Sequence, residues 1–196
     1  GSKGALSVML MSRLQWTGFE GAPRTNTLNV HSPIADSDLG VGFTVISDKI
    51  GPVNQTGFSA DLSYNLVVGY DANLRIGLRG SGQLYSADLA TLRTDRAADP
   101  NLVRNIENKF LPNAGAGVYF NTSKYFAGIG VPNILSNEIR VNDFTTNRAY
   151  RQEMHFFAMA GALFNVNPSL MLKPSLKARY VLNAPIAIDI AANALM

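Results

Sequence analysis

The chain contains no cysteine, which excludes disulfides and thiolate metal sites. It has no apolar run near the roughly 18 residues that a membrane-spanning helix needs. Its longest, Phe156-Phe157-Ala158-Met159-Ala160-Gly161-Ala162-Leu163-Phe164, is strand-sized. Charged residues are scarce, 16% against about a quarter in soluble domains. The net charge of +3 is scattered with no basic run, so nucleic acid is not a predicted partner. The only two histidines, His31 and His155, stand far apart, a weak metal signal. No Gly-x-Ser-x-Gly nucleophile elbow is present, and neither a metal, a cofactor nor an enzyme activity is predicted. Asp36-Ser37-Asp38 lacks the spacing of a calcium loop and reads as a turn. Gly77-Leu78-Arg79-Gly80-Ser81-Gly82 lies inside a strand pattern with no helix following, so a dinucleotide loop is not predicted. Gly80 and Gly82 there permit bending or close approach.

What the sequence does hold is alternation. In Phe58-Ser59-Ala60-Asp61-Leu62-Ser63-Tyr64-Asn65-Leu66 every even position is apolar and every odd one polar. A period of two means strands with unlike faces. Ten such strands are predicted, near residues 4–16, 23–32, 38–48, 56–68, 72–86, 112–121, 124–132, 152–165, 169–182 and 185–196. The turns after the even-numbered runs are brief and rich in Asn, Asp, Gly, Ser and Pro, the residues of tight turns. The connections after the odd-numbered runs are mostly longer: 17–22, 47–55, 87–111 (with one helical turn expected near 102–107) and 132–151. The last, at Asn183-Ala184-Pro185, is tight. Short turns on one rim and long loops on the other are the signature of an antiparallel, outer-membrane-type transmembrane β-barrel. Its membrane signal hides within a mean hydropathy of +0.04, because interior residues interrupt the lipid-facing ones.

The strand faces agree with one another. Leu74, Ile76 and Leu78 oppose Asn73, Arg75 and Arg79; Leu172, Leu176 and Tyr180 oppose Lys173, Lys177 and Arg179; Ile186, Ile188 and Ile190 oppose Asp189 and Asn193. The apolar set is expected to face lipid and the polar set the lumen. Candidate lumen charges are Arg13, Asp61, Arg75, Arg79, Lys173, Lys177, Arg179 and Asp189. This basic excess suits either a lumen that favours anions or an acidic segment, or a network of paired charges filling a small barrel. Trp16, Phe19, Tyr70, Tyr85, Tyr119, Phe120, Tyr125, Phe126, Phe164 and Tyr180 fall near strand ends and are predicted to form interfacial girdles.

Four segments resemble the PorP/SprF family of type IX secretion outer-membrane proteins of Bacteroidetes-type bacteria. The first is Gln15-Trp16-Thr17-Gly18-Phe19-Glu20-Gly21-Ala22-Pro23 with His31-Ser32-Pro33 further on. The second is Asp48-Lys49-Ile50-Gly51-Pro52, and the third Asn108-Lys109-Phe110-Leu111-Pro112-Asn113 with Gly115, Gly117 and Tyr119. Gly128-Ile129-Gly130-Val131-Pro132 is the fourth. Each alone is weak; four in order over nearly the whole chain are specific. The resemblance implies a non-enzymatic outer-membrane β-barrel without a cofactor, which assists secretion or surface attachment of cargo such as gliding adhesins. Its expected partners are outer-membrane lipid and either the secreted cargo or other type IX components. Family members are longer and carry a signal peptide. Residues 1–196 are therefore read as a single barrel domain, a fragment lacking the signal peptide and C-terminal strands, whose ten strands leave the barrel incomplete.

Candidate partner-binding residues lie in the two longest loops: Asp88, Arg93, Asp95, Arg96, Asp99, Arg104, Arg140, Asp143, Arg148 and Arg151. Mixed charge on exposed loops suits docking a secreted domain. The alternatives are a porin-like or hydrophobic-substrate channel, an outer-membrane hydrolase, and a soluble β-sandwich.

Overall fold

The computed structural model describes residues 5–88, 106–141, 148–151, 153–182 and 184–195. Thirteen strands are found among them: β1 (Ser7–Leu14), β2 (Arg24–Pro33), β3 (Leu39–Ile50), β4 (Val53–Gly69), β5 (Ala72–Ala87), β6 (Ile106–Asn121), β7 (Tyr125–Val131), β8 (Glu138–Val141), β9 (Arg148–Arg151), β10 (His155–Ala162), β11 (Phe164–Asn167), β12 (Leu170–Val181) and β13 (Ala187–Leu195). No helix of the described residues is long and apolar enough to cross a membrane. Eleven strands form one antiparallel meander: β1 to β7 pair in chain order, β10 pairs with β7, and β12 with β10 and β13. β11 pairs with the start of β12 and continues the line of β10, which the sequence had suggested as one strand. The break falls at Leu163, whose N–H leaves the ladder and donates to the Lys124 carbonyl at 2.7 Å. β8 and β9 form a separate hairpin.

The sheet is open. β1 and β13 are its edges and do not pair with each other, so the strands are not closed into a barrel in this structure. Three loop expectations are corrected. Residues 47–55 are no long loop: β3 and β4 pair to the very end, Ile50 opposite Val53. Gly51, at φ +56°, supplies the left-handed backbone that so tight a turn requires. In the stretch 87–111, Lys109, Phe110 and Leu111 are strand residues opposite Tyr85, Leu84 and Gln83. Ile106 and Glu107 are likewise strand, not the helical turn expected there. The stretch 132–151 contains the β8–β9 hairpin. Polar residues were the reason for each misreading: Asp48, Lys49, Asn54 and Gln55 pair as strand without alternating in hydropathy.

Register confirms the two faces. Leu39, Tyr64, Ile76, Val118, Ile129, Ala158, Ala178 and Ile188 form one unbroken cross-strand row from β3 to β13. The neighbouring row on the other face runs Asn65, Arg75, Tyr119, Gly128, Met159, Lys177, Asp189. A one-residue slip anywhere would exchange the faces.

The apolar face has nothing over it. Ile129 is 67% and Ile190 83% exposed, no large side chain is fully buried, and only Ala87, Leu111, Ser59, Asn121 and the glycines Gly82 and Gly115 are buried among the described residues. The accessible surface is 14017 Å², against about 9,000 Å² for a compact soluble chain of this mass. A soluble sandwich needs a second layer on that face, and the described residues supply none. The polar face is concave, because residues from β4, β5, β6, β7, β10 and β12 together line one cavity of about 720 Å³.

Candidate functional site

Two places gather the residues singled out above: one rim of the sheet and the concave polar face. The rim lies at the ends of β1, β3, β5 and β7, and all four family-like segments reach it. After β1 the chain turns on Gly18 (φ +100°) and Gly21 (φ +75°). Phe19 N–H donates to the Trp16 carbonyl at 3.2 Å and Gln15 N–H to the Pro23 carbonyl at 3.0 Å. This loop is latched to the β3–β4 turn by Gly51 N–H donating to the Gly21 carbonyl at 2.9 Å. A Cβ on Gly21 would sit 3.2 Å from the Gly51 Cα, so close approach as well as φ requires glycine there. Nearby, the Thr25 hydroxyl donates to Asp48 Oδ1 at 2.7 Å, and Asp88 N–H to the Pro52 carbonyl at 3.0 Å. Lys49 faces away from Asp48, as alternation demands.

The third and fourth segments meet in the same way. β7 pairs with β6 only over Ala116–Asn121, which leaves the β6 edge bare beyond it. The chain after Pro132 covers that edge. Ile134 N–H donates to the Ala114 carbonyl at 2.8 Å. The Asn113 amide acts as a strand partner, its Nδ2 donating to the Leu135 carbonyl at 2.9 Å and its Oδ1 accepting Leu135 N–H at 3.0 Å. Asn137 Nδ2 donates to the Pro112 carbonyl at 3.0 Å. Gly115 lies against Pro132, with no room for a Cβ. On the apolar face Phe110 stacks on Phe58 at 6.0 Å, and both rings lie over Gly82, where a Cβ would meet them. That is the close approach the strand glycine suggested.

From this rim the chain leaves after Asp88 and returns at β6. Arg93, Asp95, Arg96, Asp99, Arg104 and Asp143, expected to bind a partner, lie outside the described residues. Arg140 falls in β8, and Arg148 and Arg151 in β9. Trp16 and Phe19 are 71% and 74% exposed at this rim, and Tyr70, Tyr125 and Phe164 are exposed at the opposite one. Two exposed aromatic belts flanking an apolar band are the girdle arrangement. Tyr85, Tyr119 and Phe126 do not join them: register puts all three on the polar face. The alternation Val118-Tyr119-Phe120 carries that information in the sequence.

On the polar face the lumen charges separate into paired and unpaired. Arg79 and Asp61 are cross-strand partners joined by two hydrogen bonds, Nε to Oδ1 at 2.6 Å and Nη2 to Oδ2 at 3.1 Å. Their side chains are about a third exposed (37% and 31%), so the pair contributes at most about 1 kcal/mol, but it cancels one positive charge. Arg75, Lys173, Lys177 and Arg179 make no ion pair with a described residue. Asp189 is opposite Lys177 in register without an ion pair. Lys177 Nζ instead lies 5.6 Å from the Phe157 ring centroid, and Lys173 Nζ 5.1 Å from that of Phe126. Aromatic faces hold a cation without neutralising it. Arg13 sits on the same face of edge strand β1, in the row of Thr25 and Asp48. Phe157 and Met159 are cavity residues that sequence reasoning missed, hidden in the continuously apolar stretch 156–164. His31 Nδ1 contacts Asn29 Oδ1 at 3.0 Å, and His155 Nδ1 lies 2.9 Å from the Glu153 carbonyl. No three potential ligands gather to hold a metal among the described residues.

Comparison with known proteins agrees with the motif segments. A family described as type IX secretion system membrane protein PorP/SprF matches residues 1–196. No curated protein and no solved structure matches the chain. An exposed apolar band, girdled rims, and four interlocked motif segments under a match that spans the whole chain lead to one conclusion: this chain belongs to the PorP/SprF family of type IX secretion system membrane proteins.

Proposed function

We propose that residues 1–196 act as one outer-membrane β-barrel domain that assists secretion or surface attachment of type IX cargo, such as gliding adhesins. In this reading the protein is a non-enzymatic scaffold. The apolar face meets outer-membrane lipid, the short turns face the periplasm, and the rim of long connections faces outward. The observation that carries the reading is the convergence of the family segments on that rim. Gly21 on Gly51, Asn113 on Leu135 and Gly115 against Pro132 use the family-like residues to fix the rim at which β5 ends and β6 begins. Rigid scaffolds with variable connections are how folds present binding surfaces. Cargo, or another component of the secretion system, is the partner that this rim receives. Deleting residues 95–104 should abolish surface display of cargo in cells while the protein still inserts in the outer membrane. Normal display by an inserted deletion variant refutes the assignment.

A further inference from the structure

We propose that the concave face carries a binding trough for an extended acidic peptide segment, with Arg75 and Lys177 as its principal contacts. This goes beyond the rim assignment and depends on that reading only in taking the concave face as the water-exposed interior. Arg75 and Lys177 lie in one cross-strand row and line the same cavity. Neither is paired with a described carboxylate, whereas the third cavity cation, Arg79, is held by Asp61. Along β4–β13 the described side chains of this face include six cations (Arg75, Arg79, Lys109, Lys173, Lys177, Arg179) against two carboxylates (Asp61, Asp189). A polar interior free to neutralise itself would not leave that excess; a surface meant for negative charge would.

The shape specifies an elongated ligand. Four strand-to-strand steps separate Arg75 from Lys177, roughly 19 Å along the sheet. One phosphate cannot span that distance, whereas an extended peptide of about six residues does. The floor between them suits a main chain. Gly77, Gly117 and Gly130 are consecutive partners in the adjacent row, so backbone is exposed where side chains would otherwise stand. Tyr119, Met159 and Phe157 provide apolar contact beside it. The ring under Lys177 fixes its ammonium without lowering its charge.

The test uses the full chain in lipid nanodiscs and a fluorescein-labelled hexaglutamate peptide, followed by anisotropy. Binding is expected, weakened by salt, with hexaglutamine and hexalysine inactive. The Arg75→Gln/Lys177→Gln variant should bind at least about tenfold more weakly. Arg24→Gln/Lys124→Gln, which removes the same charge outside the trough, should bind normally, as should the 95–104 deletion. Strand circular dichroism verifies that each variant is folded. The proposal is overturned by no binding by the wild type, by equal losses in the two double variants (net charge alone), or by displacement of the peptide by inorganic phosphate at equal charge (a simple anion site). Loss of binding on deleting 95–104 would also overturn it, placing the peptide on the rim. Cargo display by that deletion variant, by contrast, bears only on the rim assignment.

Discussion

Replacing Ile129 by arginine is expected to destabilise the membrane-inserted protein by up to about 2–4 kcal/mol, the cost of an arginine on the lipid face, which is greatest at the bilayer midplane. Ile129 stands in the middle of the row from Leu39 to Ile188, and every member of that row is apolar. Arginine there has no carboxylate within the row and no water beside it once the band is in lipid. The same residue type on the opposite face carries no such cost, as Arg75 shows. Met9→Arg, on the polar face of β1 and in register with Asn29, should change stability by less than about 1 kcal/mol. Urea unfolding of each variant in lipid vesicles reads the difference. Equal, small effects at both positions would mean that the apolar face does not contact lipid.

Gly115→Val should be the most damaging change at the rim. A Cβ at this position would stand 2.5 Å from the Pro132 carbonyl oxygen, 2.8 Å from its carbon and 2.9 Å from its Cα. All three are backbone atoms, so no rotamer change relieves the clash. The chain after Pro132 must lift from the β6 edge, losing the Ile134 and Leu135 hydrogen bonds to Ala114 and Asn113. Overpacking of this kind costs about 1–3 kcal/mol, with the lost hydrogen bonds added. Limited proteolysis should show new cleavage within residues 132–137 as well as a lower urea midpoint. Gly57→Ala is the control, since nothing lies within 4 Å of a Cβ there. If Gly115→Val leaves both readouts unchanged, the third and fourth motif segments are not joined in this way.

Much of this architecture is legible without coordinates, for a local reason. A strand advertises its two faces through a period of two, and the assignments of Ile76 against Arg75, or Ile188 against Asp189, need no knowledge of what lies next door. Where the alternation weakens, sequence reasoning fails. Lys49, Asn54 and Gln55 look like loop residues, yet they continue the β3–β4 ladder to its turn. Lys109 likewise pairs with Tyr85. Pairing across strands is less accessible still. Nothing local joins Asp61 to Arg79 rather than to Arg75; the choice is made by the β4–β5 register. The functional reading depends on that step, since it separates a neutralised cation from the free Arg75 and Lys177. The rim shows the same division. Gly21 and Gly51 are recognisable as turn glycines, but their contact with each other is set by how β1, β2 and β3 align.

Because the chain has no native cysteine, the membrane orientation of the two faces can be measured one residue at a time. Single cysteines at Leu74, Arg75, Ile76, Gly77, Leu78 and Arg79, introduced into the full chain in vesicles, should fall into two alternating sets. Those at Leu74, Ile76 and Leu78 should resist a water-soluble thiol reagent and, once labelled with a fluorophore, be quenched by a lipid-phase quencher. Those at Arg75, Gly77 and Arg79 should react readily and escape that quencher. Uniform reactivity across all six positions would contradict a sheet that places one face in lipid and the other around water.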